Sequence, residues 1–227
     1  PECASALEKY RVNPGNVGIG RRRDEQFATI CKVAIENGKP IRIGVNGGSL
    51  NQELVMRRMQ ENTDRDLGLT SEQIVNECMV LSALESTALA VESGVRPDQI
   101  IISCKVSKPR DLIDVYRELA RRTIQPLHLG LTEAGMGIKG LTWSASAMGV
   151  LLNEGIGDTI RVSLAADPVE EIKVGNDLLK SLGLRHRGVT IIACPSCARQ
   201  GYDVITTVDT LERRLAHIPE PITLSII

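Results

Sequence analysis

Apolar and polar positions follow two rhythms along this chain, and the rhythms take turns. Short stretches of period two, such as Pro40-Ile41-Arg42-Ile43-Gly44-Val45-Asn46 and Ile100-Ile101-Ile102-Ser103-Cys104-Lys105-Val106-Ser107, read as strands. So do Tyr10 to Val12 before a Pro-Gly turn, Pro126 to Glu133, Thr159 to Leu164 and Val189 to Ala193. Between them lies helical spacing. It predicts a helix over 24–37, with Phe27, Ile30, Cys31, Ala34 and Ile35 inward and Gly38 at the stop. A second spans 70–93, with Thr70 and Gln73 set as a capping box and Ile74, Cys78, Leu81, Leu84, Ala88 and Val91 as its buried stripe. The stretch 50–69 is charged and irregular, a helix and a loop. Helices follow over 109–122, about 142–153, 168–182 and 203–217. The third of these opens on Asp167 as cap and Pro168 in the first turn, and turns Val169, Ile172, Leu179 and Leu182 inward.

Strand followed by helix, with Gly, Asn, Ser and Asp in the loops after the strands, is the pattern of a parallel α/β fold. Five successive strand ends carry Arg, Asn, Lys, His or Ser. That favours a TIM-type (β/α)8 barrel, whose site is built from many strand ends, over an open sheet, whose site lies at one switch point. Five strands are too few to close such a barrel, so this is expected to be about its last five strands, an internal piece of a longer protein. Pro1 in place of an initiator Met and the apolar run at 221–227 agree with that expectation. A boundary between Gly183 and Gly188 gives a partial barrel over 1–185 and the start of a small α+β domain over 186–227.

Composition narrows the classes. Aromatic residues make up 2% of the 227, so the core must come from Ile, Leu, Val and Ala. A formal charge of −1 gives no reason to expect nucleic acid or an anionic membrane as partner, and any anion site must be local. No run of about 18 apolar residues and no signal peptide is evident. Six cysteines, mostly inside apolar patterns, suit a cytoplasmic protein better than a disulfide framework.

Arg42, Gly44 and Asn46 share one face of their strand, as do Ser103, Lys105 and Ser107, and Arg161 and Ser163 share a face of another. With Arg11, this places four cations on or beside four different strand ends. Each alone would read as a solvated charge. Together and enclosed they repel unless an anion joins them. Asn13, Asn46 and Ser163 add neutral donors, so the expected ligand is a diphosphate-sized, polyanionic small molecule. Glu133, at a strand end beside glycines, and His128 on the same strand are the candidates for proton transfer, although a lone strand histidine is more often structural. Gly135, Gly137 and Gly140 fit G-x-G-x-x-G, but the acidic residue that a dinucleotide site wants at the next strand end is absent, and the glycines read as a flexible loop.

Cys194 and Cys197 are spaced to direct two thiolates at one soft metal centre. Half a zinc set, a redox pair, an accidental pair and an iron–sulfur site completed elsewhere all remain open on spacing alone. His186 and His217 lack the spacing zinc usually uses.

Several runs together resemble one family, the 4-hydroxy-3-methylbut-2-enyl diphosphate synthases of the non-mevalonate isoprenoid pathway. They are Arg11-Val12-Asn13-Pro14-Gly15-Asn16, the strand 40–46, Pro126 to Gly135, Glu154 to Pro168 and Ala193 to Arg199. The resemblance implies a barrel binding 2-C-methyl-D-erythritol 2,4-cyclodiphosphate and a small domain carrying a [4Fe–4S] cluster. It implies a two-electron reductive ring opening with loss of water, fed by ferredoxin or flavodoxin in a bacterial cytoplasm, and a homodimer. The family's phosphate-binding positions would be Arg11, Asn13, Arg42, Asn46, Lys105, Arg161 and Ser163, its acid–base group Glu133 with His128 nearby, and its cluster ligands Cys194 and Cys197. The remaining ligands would lie beyond Ile227, so the chain alone is expected to be inactive. The competing expectations are a non-redox barrel enzyme on a phosphorylated substrate with a structural zinc, and a non-catalytic anion-binding module.

Overall fold

The computed structural model describes residues 3–15, 21–194 and 201–226. In chain order the elements are β1 (Tyr10–Val12), α1 (Arg21–Glu36), β2 (Ile41–Asn46), α2 (Gln52–Asp64), α3 (Ser71–Glu92), β3 (Ile100–Lys105), α4 (Pro109–Arg122), β4 (His128–Leu129), α5 (Gly137–Asn153), β5 (Thr159–Ile160), α6 (Pro168–Ser181), β6 (Val189–Ala193), α7 (Val204–Leu215) and β7 (Ile222–Ile226). They divide into two compact units, Pro1–Gly175 and Asn176–Ile227.

In the first unit β1, β2 and β3 form a parallel sheet in that order, and β4 pairs with β5, also parallel. A bridge between Ile102 and Leu127 joins β3 to β4, with Ile102 N–H donating to the Pro126 carbonyl at 2.9 Å. Neighbouring strands are thus neighbours in the chain, the order of a barrel wall and not of a sheet that reverses at a switch point. The β3–β4 ladder is interrupted by Tyr116 of α4. Its hydroxyl accepts from Cys104 N–H at 3.0 Å and donates to the His128 carbonyl, standing in for missing rungs.

Strand alternation explains the core. Ile41, Ile43, Ile100 and Ile102 are fully buried on the helix side of the sheet, and each contributes roughly 1.5–3 kcal/mol by leaving water. Thr70 caps α3 in a complete capping box with Gln73. α3 is long and apolar enough to cross a membrane by length and composition, but it packs on β2, β3, α2 and α4.

Several helix faces differ from the periodicity reading. α3 buries Met79, Val80, Ala83, Ser86, Thr87 and Ala90, while Ala88 and Val91 are exposed. This helix is apolar nearly all round, so spacing could not single out a face, and its small residues are the ones that let it lie close to the sheet. Ile35 of α1 is likewise exposed. α5 begins at Gly137, not near 142: Gly140 lies inside it because a Cβ there would sit 2.6 Å from Leu164 Cδ2 and 2.8 Å from the Gly135 carbonyl oxygen. That glycine marks close packing, not a flexible loop. In α6, Val169 and Ile172 are exposed and Gly175 is the buried position, against Val162 and Ile160 of the β5 segment.

The second unit is a β6–α7–β7 motif with the two strands parallel, Val189 beside Ile222 through Ala193 beside Ile226. Asp203 caps α7, its Oδ1 accepting from Thr206 N–H at 3.1 Å. The apolar run that ends the chain forms β7.

Candidate functional site

The parallel register sets Arg11 beside Arg42, Gly44 beside Ser103 and Asn46 beside Lys105. Paired residues of parallel strands face the same way, so the polar members of β1, β2 and β3 gather on the side opposite the isoleucines. There Arg11, Arg42, Asn46, Lys105, Arg161 and Ser163 line a cavity of about 160 Å³, with Ser103 and Thr132 also in its wall. Among the described residues, none that lines it is acidic. Two glycines make the room. A Cβ on Gly44 would meet Arg11 Nε at 3.2 Å, and one on Gly130 would meet the Arg161 carbonyl oxygen at 2.6 Å and Lys105 Nζ at 3.4 Å.

The crowding of like charge shows in the ionisation of its members. Lys105 is pushed down to about 8, first by burial and then by Arg161, Arg42 and Arg11, with Glu171 opposing. Arg42 is lowered by burial and then by Arg11 and Arg161, and its Nε is buried without a partner among the described residues. Such a cluster is the electrostatic complement of a small polyanion.

Glu133 stands beside this cavity rather than in it. With Asn46, Lys105 and Thr132, which border both spaces, it lines an adjoining cavity of about 560 Å³. Its carboxylate Oε2 accepts from Ser107 Oγ at 3.3 Å. Its backbone has φ 56°, a left-handed conformation that costs a side-chain-bearing residue about 1 kcal/mol or more. Strain at an exposed carboxylate on a cavity wall points to function rather than folding.

His128 lies deeper. It is 6% exposed, its Nδ1 is 2.7 Å from Thr159 Oγ1, and its Nε2 has no partner among the described residues. Burial, then Arg42, Lys105, Lys9 and Arg161, push its pKa down to about 3, so the imidazole is neutral at ordinary pH. Asn13 is not among the cavity's lining residues. Its Oδ1 accepts from Gly15 N–H at 3.1 Å and from Ser49 Oγ at 3.0 Å, tying the turn after β1 to the turn after β2.

Two family models match the chain in succession, the GcpE TIM-barrel domain over residues 2–176 and the GcpE protein C-terminal domain over residues 190–227. The chain belongs to the GcpE family. These are the 4-hydroxy-3-methylbut-2-enyl diphosphate synthases of isoprenoid biosynthesis, and the strand-end cations lie in the part matched by the GcpE barrel.

GcpE proteins bind a [4Fe–4S] cluster, and the cysteines can be weighed against that. Cys31, Cys78 and Cys104 are buried, and burial raises their thiols, Cys31 to about 11 and Cys104 to about 12, so all three are core residues without thiolate character. Cys194 differs. It follows β6, its N–H donates to the Ile226 carbonyl at 3.3 Å, and its thiol is free and exposed. Cys197 lies outside the described residues. Among the described residues there is no group of three or more His, Cys, Asp or Glu that could hold a metal. A thiol that is exposed and fixed at a strand end fits one corner of a GcpE cluster, so the C-x-x-C pair has the right chemistry for part of a ligand set.

One carboxylate without a local signal in the sequence approaches this cavity's wall. Glu171 of α6 accepts from Leu164 N–H through Oε1 at 2.9 Å, and its Oε2 is 4.0 Å from Arg161 Nε. Glu170 and Glu171 both fall in the first turn of α6, and nothing local distinguishes the one that turns back to the strand.

Proposed function

We propose that this chain supplies the substrate site, formed by about the last five strands of a (β/α)8 barrel, and part of the cluster site of an enzyme acting on 2-C-methyl-D-erythritol 2,4-cyclodiphosphate. The reaction is a two-electron reductive ring opening and dehydration to 4-hydroxy-3-methylbut-2-enyl diphosphate. What carries the reading is the convergence of Arg11, Arg42, Lys105 and Arg161 on one cavity, with Glu133 in the adjoining space. The cations, with Asn46 and Ser163, hold the diphosphate, and Asn13 braces the turn beside Arg11. The rest of the substrate reaches past Lys105 toward Glu133.

Cys194 and Cys197 would hold part of a [4Fe–4S] cluster, which supplies one-electron transfers, two per turnover, drawn from ferredoxin or flavodoxin. On the substrate, the C–O bond at the methyl-bearing carbon breaks and its electron pair stays on the released phosphate oxygen. The hydroxyl on the adjoining carbon leaves as water with a proton delivered by Glu133. The two electrons complete the new C=C bond. The four cations stabilise the charge that grows on the phosphate. Neutral His128 offers a hydrogen bond, not a charge. The working protein is a cytoplasmic homodimer.

In the full-length protein, reconstituted anaerobically, Glu133→Gln should lower kcat by about 10²–10⁴-fold, as loss of a general acid does, and leave the Kd for the cyclic diphosphate within about 3-fold. Unchanged kcat removes Glu133 from the chemistry. A colourless, zinc-loaded protein without iron–sulfur absorption overturns the redox reading in favour of a structural metal.

A further inference from the structure

We infer that Glu171 is a positioning residue for the anion site, acting through Arg161 and the segment that carries Ser163; this rests on the diphosphate reading above. A carboxylate beside a site for an anion is at first sight misplaced, since it subtracts from the field that attracts the ligand. The geometry gives it a different task.

Arg161, like Arg11, is an exposed member of the cluster, its side chain 58% accessible, on a long stem at the end of β5. Repulsion from Lys105 and Arg42 would drive such a guanidinium outward, away from the cavity. Glu171, with its side chain 20% accessible, faces the Nε edge of that guanidinium at 4.0 Å. The other oxygen of the same carboxylate accepts from Leu164 N–H at 2.9 Å and so fixes the main chain next to Ser163, a lining residue of the cavity. One residue further, Ala165 N–H donates to the Gly135 carbonyl at 3.0 Å, which ties this segment to the turn just after Glu133. A single carboxylate thus stands within ion-pair distance of one cation and holds the main chain beside one hydroxyl donor, in a segment that one further backbone bond ties to the loop of the acid–base group. Its charge also acts on Lys105, where it opposes the three arginines.

Preorganising Arg161 removes an ordering cost from ligand binding, which outweighs the loss of field from one partly exposed carboxylate. The test uses the full-length reconstituted enzyme, with binding of the cyclic diphosphate followed by calorimetry and turnover followed separately. Glu171→Ala should raise Kd and KM together by about 10-fold and leave kcat at saturation within about 3-fold, the signature of lost uniform binding. Glu171→Gln keeps an acceptor for Leu164 N–H but removes the charge that faces Arg161, and should recover only a minor part of the affinity. In an Arg161→Ala background, Glu171→Ala should add less than about 2-fold, because partners in one interaction are not additive. Unchanged Kd in Glu171→Ala, or the same loss with and without Arg161, overturns the inference. If the unsubstituted protein fails to bind the cyclic diphosphate, it is the function proposed above that fails. If Glu171→Ala does not fold, Glu171→Gln decides the matter: it must raise Kd and KM together with kcat within about 3-fold, and a wild-type Kd, or a fall in kcat without change in KM, overturns the positioning role.

Discussion

Burial and three guanidiniums hold Lys105 at about 8 in the free protein, and a bound diphosphate would reverse that shift by placing negative charge at the amine. The sign follows directly. Below about pH 8 the amine is charged with or without ligand, and affinity does not depend on its titration. Above that, the free amine is increasingly neutral and binding must draw a proton from solvent, so affinity falls toward tenfold per pH unit until the raised pKa of the complex is passed. Calorimetry in buffers of different ionisation heat should find near-zero proton uptake at about pH 7 and approach about one proton at about pH 9. Lys105→Arg should bind with no uptake. The same uptake in that variant would assign the proton to another group. Alternation along β2 and β3 was enough to gather these cations on one side, because strand geometry has a fixed period and parallel register carries it across the sheet. Glu171 escaped the same reasoning because a helix carboxylate that turns back to a strand end is fixed by tertiary geometry, which no local period records.

Where elements meet, Tyr116 carries the largest consequence. α4 was legible from Leu112, Val115 and Leu119, all buried as the spacing requires, and its start and end fell where Pro109 and Arg122 suggested. The hydroxyl that leaves this helix and enters the sheet was not legible, since it answers to a gap between β3 and β4 that exists only once the strands splay. Tyr116→Phe keeps the ring and its packing but strands Cys104 N–H and the His128 carbonyl in a fully buried place. Leaving buried backbone groups unpaired costs about 1–3 kcal/mol each, so chemical denaturation should show a loss of roughly 2–6 kcal/mol. A loss below about 0.5 kcal/mol would mean that the strands close up and pair directly, and that the tyrosine fills a gap of its own making. The same limit explains α3. Periodicity finds an inward face only when the outward one is polar, and α3 is apolar on both.

Across the whole chain, the cations of the cavity and the exposed thiol after β6 fall in different units. The cavity and every cation that lines it belong to the unit Pro1–Gly175, and Cys194 to the unit Asn176–Ile227. The proposed reaction needs both, but anion binding needs only the first. The two functions should therefore separate under substitution. Cys194→Ser exchanges a soft thiolate for a hard, weakly acidic hydroxyl that iron–sulfur centres bind poorly. In the full-length protein it should abolish the iron–sulfur absorption and turnover while leaving the Kd for the cyclic diphosphate within about 2-fold, because the residues that line the anion cavity all belong to the first unit. The reciprocal change, Arg42→Met, should spare the absorption and weaken the ligand by about 100-fold or more, as truncation of a charge paired to an anion does. A Cys194→Ser protein that keeps its colour would remove this cysteine from the ligand set. One that loses colour and diphosphate affinity together would mean that the anion site is assembled only when the thiol site is filled, and the independence argued from the two units would fall.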